Sequence, residues 1–174
     1  MKKIFILYIL VSLSLLQAKV LISPIEAMKE NFAADASISK KNILLNKKRF
    51  TTVQENAKVK LDTKIYRIYT AKKGDTTLGY GVLINRKVRS KNAVVLYFIS
   101  KNILQGIEVI AFNEPQEYLP SKSWKEQFKN ISTETMLRLN REIPSISGAT
   151  LSARSVTDGS RLAFALYNEL LKGK

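Results

Sequence analysis

Ser147, Gly148, Ala149, Thr150, Leu151 and Ser152 form a run of small and hydroxyl residues directly before a long apolar-periodic stretch. Backbone N–H groups at a helix entrance lack intrahelical partners and lie at the positive end of the helix dipole, a place that suits a phosphate. Gly148 and Ala149 let a bulky ligand approach the main chain, while Ser147, Thr150 and Ser152 offer hydroxyls. A helix entrance needs only one capping hydroxyl. The surplus fits either an N-cap in a loop of turn residues or a phosphate held against exposed backbone, and local chemistry alone leaves both open.

The residues missing from the chain narrow the alternatives. There is no cysteine and no histidine, which removes c-type haem, thiolate nucleophiles, imidazole catalysis and the common zinc and copper sites together. No catalytic residue and no metal ligand is assigned. The formal net charge is +15, but it is scattered in small clusters at Lys40 and Lys41, at Lys47 to Arg49 and at Arg86 to Lys91. No aromatic residues interleave them as a nucleic-acid surface requires. A solvated basic surface follows, with weak attraction to anionic partners or a membrane face and no nucleic-acid partner.

Residues 1–18 read as a separate segment. Lys2 and Lys3 precede an uncharged run from Ile4 to Leu16 that ends in Gln17 and Ala18, the order of a secretory signal peptide. The run is short for a bilayer span. Cleavage after Ala18 is expected, with an uncleaved anchor as the alternative, and residues 19–174 then form a single extracytoplasmic domain.

The elements that must position the small-residue run are read from periodicity. Ser23-Pro24-Ile25-Glu26 is a capping box with proline at the first helical position, predicting a helix from Pro24 to about Ala33; a second is expected between Lys48 and Lys58. From Lys64 the period is two. "KIYRIYT" and "TLGYGVLIN" make a hairpin about Lys73-Gly74-Asp75, with Leu78, Tyr80, Val82 and Ile84 on one face and Gly79 and Gly81 opposite. "AVVLYFIS" and "LQGIEVIAF" add two strands, the first apolar on both faces and therefore central. Short helical stretches are predicted around Trp124 to Phe128 and Glu134 to Leu139. A final helix from near Ser152 to Leu171 has Val156, Ala163, Leu166, Tyr167 and Leu170 as its apolar stripe and Gly159 for close approach to the sheet. The fold class is α+β: an antiparallel meander of four or more strands packed with helices, the last following the S-G-A-T run.

Ser147-Gly148-Ala149-Thr150-Leu151-Ser152 resembles the S/T-G-A-T-x-S/T signature of the covalent FMN-binding domain family, found in flavin subunits of the sodium-pumping NADH:quinone oxidoreductase and Rnf complexes and in small exported proteins. Ser155 to Gly159 is similar to the family's following helix, "LGYGV" from Leu78 to its first central strand, and "FNEPQEY" from Phe112 to its loop after the sheet. The resemblance implies FMN esterified through its phosphate to Thr150 by a flavin transferase, and an electron carrier with redox partners at the outer face of a membrane. It also implies cofactor contacts from residues 147–152 and from Glu114, which begins the family-like loop. Tyr80, Tyr118 and Trp124 are the aromatic candidates for packing on the ring. One position departs: the family pattern places aspartate three residues before the first residue of the motif, where this chain has Pro144, with Glu142 nearby as a possible substitute. The other reading is a non-redox binding or assembly module of the same fold that lost flavinylation with that aspartate.

Overall fold

The computed structural model describes residues 20–173; the expected signal segment lies outside them. Six strands form one antiparallel sheet in sequence order: β1 (Ser37–Leu44), β2 (Ile65–Lys73), β3 (Thr76–Lys87), β4 (Asn92–Ser100), β5 (Ile103–Phe112) and β6 (Ile131–Ser132). Helix α1 (Pro24–Asn31) covers one face. The other carries α2 (Lys47–Ala57) and α4 (Thr150–Leu170), while α3 (Lys122–Lys125) tightens into a 3₁₀ turn at Glu126–Phe128 beside β5. Among the described residues, no helix is long and apolar enough to cross a membrane.

The alternating pattern of β4 separates two cores. Val95, Tyr97 and Ile99 face the α4 layer, and Leu96 and Phe98 face α1, so the strand is buried on both sides as its sequence implies. Ser23 caps α1 by accepting from Glu26 N at 3.1 Å, and Ala27 and Met28 turn inward. Gly79 and Gly81 explain how α1 lies so close: a Cβ on Gly81 would run into Met28 Sδ, and one on Gly79 into the Phe32 ring, with Ile99 O at 2.8 Å. The two glycines of β3 are therefore slots for the helix above them.

Several boundaries differ from the sequence reading, each for a physical reason. Leu78 does not share the face of Tyr80, Val82 and Ile84. A bulge opposite Ala71 and Lys72 makes it an extra residue that turns toward the α1 layer. β1 carries no clear alternation because it is an edge strand, and Lys40 and Lys41 on it discourage pairing with other chains. The segment from Glu134 to Leu139 is not helical; Glu134 N and Thr135 N are taken by Ser132, and Thr133 is tied to Asn168 of α4, so tertiary bonds override local propensity.

Helix α4 fixes the geometry of the whole molecule. Its middle passes over Tyr97, whose hydroxyl donates to Val156 O at 2.8 Å. A Cβ on Gly159 would overlap that hydroxyl and come within 3.0 Å of Tyr97 Cζ, so the expected close approach is realised against a single buried side chain. The helix starts at Thr150, two residues earlier than its apolar pattern suggests.

Candidate functional site

The N-terminus of α4 opens into a cleft of about 230 Å³ lined by Val88, Arg89, Glu114, Tyr118 and residues 148–152. The β3–β4 turn and the segment after β5 lie at the same end of the sheet and supply the opposite wall.

Ala149 occupies the N-cap position of α4, and no side chain caps the helix. Its first backbone bond is Ala153 N to Ala149 O at 3.1 Å, so the N–H groups of Thr150, Leu151 and Ser152 precede the internal ladder. Gly148 holds φ at +75°, a left-handed conformation that L side chains adopt at a cost of about 1 kcal/mol, with open space around it. Thr150 is exposed, and its hydroxyl closes no internal bond that fixes the helix start. Ser152 is 1% exposed, and its Oγ is buried without a hydrogen-bond partner at the cleft wall. An orphaned hydroxyl costs free energy unless something completes it. Of the two alternatives, the ordinary hydroxyl N-cap is not what the helix start shows, since no side chain caps α4.

Glu114 lines the cleft and also holds its wall together. Its Oε1 accepts the backbone N–H groups of Arg89, Ser90 and Lys91 at 3.0, 2.7 and 2.7 Å, and Oε2 receives Ser90 Oγ at 3.4 Å. The buried carboxylate thus cradles the β3–β4 turn, and the Lys91 N–H foremost among these bonds holds its pKa below the ordinary 4.5. A group depressed in the folded state stabilises fully above its unfolded pKa and loses that contribution as pH falls through its folded one. In urea unfolding measured below pH 4.5, Glu114→Gln is therefore expected to show a shallower fall of stability with acid than the parent chain; identical slopes would remove this role.

The remaining candidates separate. Tyr118 lines the cleft, with Leu151 and Val88 as further apolar wall. Trp124 is buried, and its Nε1 donates to Pro144 O at 2.9 Å, so it anchors the approach to the S-G-A-T run. Tyr80 packs edge-on to Tyr167 at 6.0 Å between centroids. Tyr167 is seventeen residues along α4 from Thr150, about 25 Å at the helical rise, so Tyr80 is not brought to the cleft. Ser147 is exposed and lies outside the lining. Glu142 is held by Arg138 through contacts at 2.6 and 3.2 Å and by Arg138 N at 2.9 Å, bonds that bring its carboxyl down to about 2.

Val88 and Arg89 belong to the cleft although the sequence reading took Arg86 to Lys91 only as a charge cluster. The available signal was Glu114, an acid two residues beyond the end of β5 that needs hydrogen-bond partners once buried. No cluster of metal-ligating side chains occurs among the described residues.

No family model and no curated protein sequence matches the chain. Among solved structures, the crystal structure of Shewanella oneidensis NqrC is similar, with a TM-score of 0.54 at 14% identity over 75% of this chain and 79% of that one. The likeness is one of fold.

Proposed function

We propose that the chain is an electron-carrying flavoprotein that holds FMN at the entrance of α4, joined by a phosphoester to Thr150. The observation that carries the reading is the buried, unpartnered Ser152 Oγ beside an uncapped helix N-terminus and an exposed threonine hydroxyl. Together these are acceptor-seeking groups arranged for a phosphate. The family-like S-G-A-T-L-S spacing and a fold shared with NqrC support the same reading.

Residues 150–152 would hold the phosphate with their N–H groups, and Ser152 Oγ would add a donor. Val88, Tyr118 and Leu151 offer apolar wall to the ring system. The cleft is smaller than the roughly 300 Å³ at which pockets begin to enclose a small molecule, so a ligand of flavin size keeps part of its surface toward solvent and a redox partner. Bound there, FMN supplies the electron transfer itself, which fits a chain without histidine or cysteine.

Ester formation needs an activated donor. With a flavin dinucleotide as donor, Thr150 Oγ would form the new O–P bond at the flavin-side phosphorus as the pyrophosphate P–O bond breaks, a nucleoside monophosphate would leave, and the hydroxyl proton would pass to a base of the flavin transferase. That transferase and membrane-side redox proteins outside the cytoplasm are the partners this reading names.

The second reading, a binding or assembly module without flavin, is favoured by one observation: Pro144 stands at the motif aspartate's position, and the nearby Glu142 is already held by Arg138. Pro144→Asp keeps the carbonyl that accepts from Trp124, and it is expected to raise covalent flavin occupancy in cells with an active transferase. Acid precipitation of protein from such cells tests the main reading. Yellow colour that stays with the pellet supports it, and a colourless pellet beside a labelled control protein favours the module.

A further inference from the structure

We infer that Arg89 is the second half of the anion site, and that Glu114 is a positioning residue that sets it there by clamping the β3–β4 turn. This deepens the flavin reading by naming what recognises the phosphate from across the cleft, and it rests on that reading for the identity of the ligand.

Arg89 is the one basic residue among the described residues lining the cleft, and it stands across from the residues that open α4. It is exposed, and no ion pair involving it is present among the described residues. Its backbone is fixed all the same, because the Glu114 carboxylate accepts from Arg89 N, Ser90 N and Lys91 N. A buried carboxylate in the wall of an anion site is unfavourable unless its charge is offset. The three N–H groups do part of this, and the guanidinium carried on the same turn presents positive charge to the cleft. With the Ser152 hydroxyl and the α4 N–H groups opposite, a phosphate monoester would be held from both sides.

The two possible roles of Glu114 give opposite signs. As a mere negative charge near the anion, its neutralisation would strengthen phosphate binding. As the clamp that places Arg89, loss of its accepting oxygens weakens binding. The test uses the full chain purified without flavin and measures binding of inorganic phosphate, FMN and riboflavin by calorimetry.

Arg89→Ala is expected to weaken phosphate and FMN binding by about 10- to 100-fold, as for loss of a charge-assisted bond, and to leave riboflavin unchanged. Arg89→Lys should recover part of the loss. Glu114→Ala, which removes the accepting oxygens, should weaken phosphate binding, and the Arg89→Ala/Glu114→Ala pair should bind no more weakly than Arg89→Ala alone. Unchanged phosphate binding in Arg89→Ala overturns the proposal, as does tighter binding in Glu114→Ala. Arg89-dependent phosphate binding with no affinity for FMN or riboflavin would uphold the anion site and remove the flavin reading.

Discussion

Thr150→Ala is expected to abolish covalently bound flavin while the chain stays folded, with stability within about 0.5 kcal/mol of the parent. The residue is exposed at the first position of α4, where the N-cap is Ala149 and no side chain caps the helix. Alanine also has the better helix propensity, by up to about 0.7 kcal/mol, so any small loss of hydration or side-chain contact is offset. The chemical loss is total because the ester has no other oxygen to form on at that position. Ser152→Ala should keep the ester, since Ser152 is 1% exposed and, on the flavin reading, would act only as a buried donor to the phosphate. Fluorescence of the denatured chain on a gel measures both outcomes, and a label retained by Thr150→Ala would move the attachment elsewhere.

The largest effect on stability is expected at Gly159, far from any proposed chemistry. Alanine there drives its Cβ into the hydroxyl of Tyr97, a side chain 1% exposed and bonded to Val156 O at 2.8 Å. Neither group can step aside: Tyr97 lies in the core between β4 and α4, and the helix backbone is held on both sides of the contact. Overpacking of this kind costs about 1–3 kcal/mol, against which alanine recovers about 1 kcal/mol of helix propensity. The offending oxygen can be removed. Tyr97→Phe loses one hydrogen bond, about 0.5–1.5 kcal/mol, and Val156 O still receives Ser160 Oγ at 3.1 Å. The Tyr97→Phe/Gly159→Ala pair should therefore be more stable than the sum of its parts. Urea midpoints measure the coupling; simple additivity would contradict the close contact.

The outline of the fold was legible wherever one local rule decided the structure. The Ser23 N-cap, the two-residue period from Ile65 to Phe112 and the apolar face of α4 each follow from near neighbours in sequence. The features that escaped depend on distant partners. Leu78 changes face because of a bulge opposite Ala71, and β1 is specified by pairing with β2 instead of by its own polar pattern. Residues 134–139 give up helix for bonds to Ser132 and for a loop tied to α4 through Thr133.

The site divides in the same way. Gly148, Ala149, Thr150, Leu151 and Ser152 are visible as one contiguous run at a helix start, and Glu114 enters through the family-like loop that it begins. Arg89 and Val88 were not, because only the folded sheet brings the β3–β4 turn against α4. Tyr80, an aromatic candidate for packing on the ring, pairs instead with Tyr167 toward the other end of α4.

The chemical state of the Thr150 hydroxyl tests the electron-carrier reading most directly. Protein exported in cells with an active flavin transferase, digested and examined by mass spectrometry across residues 142–154, should give a peptide heavier by one FMN less one water, with fragmentation locating the increment on Thr150. An unmodified peptide from cells whose transferase labels another protein would contradict the electron-carrier reading.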